Sequence, residues 1–423
     1  MVTLFILIYQ LNFIVILGFC YFLFKKQIIK TLLRMCKKSD CSIYICTITY
    51  LYHALYRDKS MRKTENGFTG NEPHSAMARL SLDDMIDQLL HSNALSLKLT
   101  ANPLLADRVW YLTENTCIKA FTANDPQAKK RAHGALFKLY QAWLAEPLSA
   151  AAKNQFHPLL CGIRSYIETE WLRVEKKRFA FPAPALNAGN IVEELRDLCQ
   201  KHPASHHPLF DFLASSASAT QIDYFFKSDS ALNLLFFDLV AMGLVGSLPE
   251  TRAEIAHNLW DEIGQGSQEI THVNLYKDLL KRRDIALPEN HFAHLYDWQG
   301  LAGYNAFMLG GVNRQHYYKS LGVMAMTELL DPPQYQKLVT GCRRIGLSDR
   351  DVHYYSEHIE VDIGHADGWL NNVIVPIGNK NPAALEEVYS GAALRLQTCC
   401  DYYDCLLEAL RTLADRESES TAL

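Results

Sequence analysis

The chain has 423 residues, 49% of them hydrophobic and 21% charged, a composition with ample length for a globular core. A net charge of −4 leaves no basic footprint and argues against nucleic acid as a partner. Eleven cysteines without a single Cys-x-x-Cys pair argue against a disulfide framework or a zinc ribbon and for a reducing compartment.

Residues 2–24, VTLFILIYQLNFIVILGFCYFLF, contain no charge and are long enough to span a bilayer. Lys25, Lys26, Lys30, Arg34, Lys37 and Lys38 follow, so a tether here would leave the rest of the chain in the cytoplasm. A second reading has equal standing: residues 1–60 are a mis-assigned upstream region and Met61 opens the chain. Residues 61–80 are polar, with Gly67, Gly70 and Pro73, and read as a linker.

From Ser81, an expected N-cap, the period becomes helical: Leu82, Met85, Ile86, Leu89 and Leu90 recur on one face. Helices are predicted over 102–121, 126–145 and 148–175, which makes 81–178 a helical accessory or dimerisation region. The run RFAFPAPALNAG (178–189) marks a domain boundary. Beyond it come helical segments at 191–202, 207–215 and 221–246. Ser247 and Glu250 have capping-box spacing and open a predicted long helix with Gly264 and Gly266 in its middle, where a bend is expected. Further helices are predicted near 296–310, 314–330, 333–345, 349–374 and 381–415. Nothing alternates as strands do, so the fold class is all-α.

The most informative stretch is YYSEHIEVDIGHADGW (354–369). His358, Asp362 and His365 stand at i, i+4 and i+7, on one helix face. Imidazole and carboxylate are ligands for iron, manganese and zinc. On the Gly-interrupted helix, Glu262 and His272 are off-face in a straight helix by roughly 80°; a bend at Gly264–Gly266 would bring them to one side. Asp238 lies in the apolar run LNLLFFDLVAMGLV, where a carboxylate is costly unless paired or metal-bound. The candidate metal ligands are therefore Asp238, Glu262, His272, His358, Asp362 and His365, a set suited to two irons in a bundle core. The competing reading of the same face is a hydrogen-bonded polar core network. Phe236, Phe237, Tyr304, Phe307, Tyr354 and Trp369 are apolar-pocket candidates, or simply core.

The pattern Asp238 … Glu262 … His272 … His358-x-x-x-Asp362-x-x-His365 resembles the haem-oxygenase-like di-iron oxidases and oxygenases, the iron-containing redox enzyme family. GYNAFMLGG (303–311), YYKSLGVMAMTELL (317–330) and the run 341–370 are similar too, so the resemblance covers residues 190–412. It implies a haem-oxygenase-like multi-helical bundle over 190–415, of the thiaminase and pyrroloquinoline-quinone-synthesis type, with an N-terminal helical extension. It also implies two Fe²⁺ ions, O₂ as co-substrate, a small-molecule substrate and an unidentified electron donor. Glu262 would bridge or chelate, His272 and His365 would complete one iron, and His358 and Asp362 would hold the other. Glu328 would support the site from outside, or be a helix-end surface charge. Relatives usually carry Glu where this chain has Asp238. The chemistry implied is oxidation or oxygenation of a small organic substrate: N-oxygenation, desaturation or C–C cleavage. The alternatives are a metal-free enzyme on the same fold and a non-catalytic protein that binds iron or a partner.

Overall fold

The computed structural model describes residues 80–179, 185–288 and 291–421. The expected membrane segment, the alternative start at Met61 and all but the last residue of the 61–80 linker lie outside them. No helix among the described residues is long and apolar enough to cross a membrane. The described residues are all-α, without a strand, as the lack of alternating segments predicts.

The first helices are α1 (Leu82–Leu90), α2 (Leu95–Ala101), α3 (Pro103–Phe121), α4 (Pro126–Gln141), α5 (Ala150–Asn154) and α6 (Pro158–Arg178). α1 buries the stripe read from its spacing. Ser81 does not cap it: the hydroxyl bonds the carboxylates of Asp83 and Asp84 instead. The helix expected over 148–175 is two, because Pro158 opens a fresh one with the His157 side chain capping it.

There follow α7 (Ile191–Lys201), α8 (Pro208–Ser215), α9 (Ala219–Asn233), α10 (Phe236–Leu244), α11 (Arg252–Glu262) and α12 (His272–Arg282). Two expectations fail here. The Ser247 hydroxyl donates to the Leu244 carbonyl rather than capping a helix, and residues Pro249–Thr251 form a 3-10 turn. The long Gly-containing helix does not bend but ends at Glu262 and restarts at His272. Gly264 takes φ +62°, and a Cβ there would meet the Ile270 carbonyl carbon at 2.7 Å. Only glycine allows both that φ and that approach.

The C-terminal half holds α13 (Trp298–Val312), α14 (Tyr317–Arg344), α15 (His353–Gly368), a π-helical turn (Trp369–Ile374), α16 (Val375–Lys380) and α17 (Ala384–Thr421). α14 continues unbroken through Pro332 and Pro333, where the sequence predicts a break. An interior proline costs about 3 kcal/mol, and the buried residues on both sides of the pair outweigh it. α14 packs along α17 at close range: a Cβ on Gly322 would lie 1.9 Å from the Val388 carbonyl oxygen, and one on Gly391 2.0 Å from that of Lys319. The early helices join this core. α4 packs on α13, Asn305 donates to the His133 carbonyl, Asn313 to Glu168, and Arg178 forks onto Asp401.

Candidate metal centre

α11, α12, α14 and α15 bring buried carboxylates and imidazoles together in two groups. Glu262, His272 and His358 form one, and Glu328, Asp362 and His365 the other; within each, ligand-type atoms all lie within 4.8 Å of one another. α15 serves both groups. Its i, i+4, i+7 face is buried at all three positions, while Glu357 is exposed and Glu360 lies off the face.

The break between α11 and α12 explains how two residues ten apart, about 80° off a common face in a straight helix, meet: His272 Nδ1 stands 3.0 Å from Glu262 Oε1. That approach is not a hydrogen bond, and His272 Nδ1 is buried without a hydrogen-bond partner. Its ring centroid is 4.3 Å from that of His358. His358 Nδ1 lies 2.7 Å from the Tyr354 carbonyl, to which it donates, so its other nitrogen is free of a proton. Burial, then His272, pushes the His358 imidazole well below its ordinary value and keeps it neutral.

In the second group, His365 Nδ1 is 3.7 Å from Glu328 Oε2 and 3.9 Å from Asp362 Oδ1. Its Nε2 is 2.9 Å from Asp261 Oδ2. Burial opposes the charge on His365, yet Glu328 and Asp261 raise it to about 9. Burial, then Glu328, pushes the Asp362 carboxyl well up. Acids crowded out of water beside imidazoles, with one imidazole nitrogen orphaned, are the donor set that a pair of cations would satisfy. The residues present therefore fit a two-metal centre.

The grouping differs from the expected one. His358 sits with His272, and His365 with Asp362, rather than the reverse pairing. Glu328, expected outside the site or on the surface, is buried within the second group. Asp238 is in neither group; it is half-buried on α10, and burial raises its carboxyl. Asp261 was missed altogether. It neighbours Glu262 and so points about 100° away from it, with no spacing to flag it.

A third group, His207, Cys400 and Asp404, lies nearer the surface. His207 Nδ1 accepts from the Leu209 amide, so Nε2 carries the proton that goes to Asp404 at 3.1 Å, and no lone pair remains for a metal.

Beside His358 and Asp362 lies a chamber of about 70 Å³, room for several water molecules. Of the pocket candidates, Phe236, Tyr304 and Tyr354 line it. Phe307 packs against Phe236, and Trp369 is buried elsewhere, its Nε1 donating to Asn258.

The fold and this site define a class: an all-α bundle with paired carboxylate–imidazole groups in its core. Residues 223–399 match the model of the family described as iron-containing redox enzyme. The chain is also 26% identical over 178 residues to 4-chloro-allylglycine synthase of Streptantibioticus cattleyicolor, a match that takes in 41% of this chain and 66% of that enzyme. A CADD-like protein of unknown function from Nostoc punctiforme matches with 17% identity and a TM-score of 0.43, over 53% of this chain and 98% of its own. Residues 223–399 are thus similar to iron-containing redox enzymes.

Proposed function

We propose that the chain is an O₂-dependent non-haem di-iron oxidase or oxygenase of a small organic substrate. The observation that carries this reading is the pair of adjoining buried groups, Glu262/His272/His358 and Glu328/Asp362/His365, served by one helix. The match to the iron-containing redox enzyme family and the relative named for making 4-chloro-allylglycine support oxidative chemistry on a small molecule.

On this reading Glu262, His272 and His358 hold one Fe²⁺, and Glu328, Asp362 and His365 the other. A ferrous pair supplies electrons for the reduction of O₂ when it is bound. The chain does the rest. Tyr354 and Asp261 orient the two imidazoles. Tyr335, Tyr354, Phe225 and Phe236 wall the chamber and restrict water. Glu328 and Asp362 sit on its edge, where they can take or release a proton beside a bound substrate. An external donor returns the electrons between turnovers.

The test is to reconstitute the chain with Fe(II) under argon and measure iron per chain beside His358→Ala and Glu262→Ala. About two irons in the parent and fewer in both variants is expected, with O₂ uptake that a substrate library stimulates. Iron content unmoved by either substitution, or no iron at all, would refute the reading.

A further inference from the structure

Among the described residues, the chamber holds one buried cation. Arg395, on α17, is 8% exposed and lines the chamber with His358 and Asp362. Its Nε donates to Thr327 Oγ1 at 2.8 Å, and its guanidinium carbon lies 4.6 Å from the Phe307 ring centroid. Among the described residues no carboxylate oxygen comes within 4.0 Å of its nitrogens, whereas Arg178 and Arg283 each grip a carboxylate. A guanidinium does not deprotonate in a protein, so it must keep its charge. Holding that charge out of water with no carboxylate in contact is costly, and a planar fork is shaped for two carboxylate oxygens.

Two acids outside the metal groups line the same chamber. Asp229 already accepts from Asn233 and Tyr355. Asp331 has the Tyr335 hydroxyl beside it and approaches Arg395 without touching it. A chamber lined by a cation without a carboxylate in contact and by two further acids, of which Asp331 is the one that approaches Arg395, complements a molecule with a carboxylate and an ammonium group. A fatty acid fits it less well, because its tail would strip water from Asp229 and Asp331 with nothing to replace it.

Resting on the two-iron reading above for the chemistry, we propose that Arg395 receives the carboxylate of a small amino acid in this chamber and Asp331 its ammonium group, which sets the substrate class. Arg395 is thus a substrate-anchoring residue.

The test is a calorimetric titration of the full chain, metal-free and Fe(II)-loaded under argon. The probes are the twenty proteinogenic L-amino acids, then the amine-free and carboxylate-free analogues of the best binder, and straight-chain fatty acids from butyrate to dodecanoate. At least one amino acid is expected to bind the metal-free chain, with both analogues weaker. Arg395→Met should weaken binding by about tenfold or more, and Asp331→Asn should weaken it too, both at unchanged iron content. Arg395→Lys, which keeps the charge but not the fork, should retain part of the affinity and guards against a folding defect. Equal binding to parent and Arg395→Met would overturn the proposal. So would a fatty acid that outbinds every amino acid, or no amino-acid binding below about 10 mM. A chain that holds no iron yet binds an amino acid through Arg395 would instead sink the two-iron reading and leave this one standing.

Discussion

Asp261→Asn is the sharpest probe of how the second metal group works. The Asp261 carboxylate takes His365 Nε2 at 2.9 Å and is itself held by Gln265 Nε2 at 2.9 Å. Gln265 reaches it from a left-handed backbone conformation, φ 53°, between the two glycines of the α11–α12 break. With a proton fixed on Nε2, it is Nδ1 of His365 that faces Glu328 and Asp362 and that a metal would take in place of its proton. Asparagine is nearly isosteric and can still accept that proton, but without charge. A hydrogen bond to a charged group contributes about 1.5–3 kcal/mol against about 0.5–1.5 for a neutral one. The difference, about 1–2 kcal/mol, is roughly a 5–30-fold weaker second metal site. Competitive titration of Fe(II) against a chelator under argon reads this directly, and the first site should stay near its parent affinity. Two sites both within about twofold of the parent would refute the reasoning.

Asp238→Asn should leave iron per chain unchanged, because Asp238 lies in neither group; elemental analysis after reconstitution checks this. His133 is fully enclosed by Phe121, Trp171 and Trp298, and burial, then Lys129, pushes its imidazole down to about 3. The unfolded chain binds that proton below about pH 6.5, so His133 destabilises the fold as pH falls from there. His133→Phe should therefore flatten the acid limb of the urea-unfolding profile by about 1.4 kcal/mol per pH unit, about 2.7 kcal/mol by pH 4.5; parallel profiles would contradict this. Gly322→Ala should cost about 1–3 kcal/mol by forcing α14 from α17, read as a lower midpoint in urea at unchanged slope.

The ligand helix was legible because three chemically matched residues share a face, and a face is what a helical period encodes. The all-α class followed from the same periodicity. What was lost depended on which side of a helix faces the core. Asp238 and Glu328 both interrupt apolar runs, and a carboxylate is as costly in one as in the other: MAMTELL surrounds Glu328 with core residues. The structure buries Glu328 on the α15 side of α14 and leaves Asp238 half-covered on short α10. The α11–α12 break was half legible. Gly264 and Gly266 signalled a distortion, but a bend and a full stop look alike until the approach to Ile270 is seen. Pro332 and Pro333 misled in the opposite direction, since local propensity yields to packing on both sides.

The glycine seam between α14 and α17 does more than permit close packing. Gly322 and Glu328 share α14, and Gly391 and Arg395 share α17, each charged residue within two turns of its glycine. The seam therefore acts as a spacer gauge: the thickness of two hydrogen atoms sets how far the acid of the metal group stands from the cation of the chamber. A methyl at either glycine would widen the chamber in the same motion that loosens the fold. Affinity for short and long ligands should then shift together with the unfolding midpoint, and tolerance at these two positions would be limited by selectivity as much as by stability.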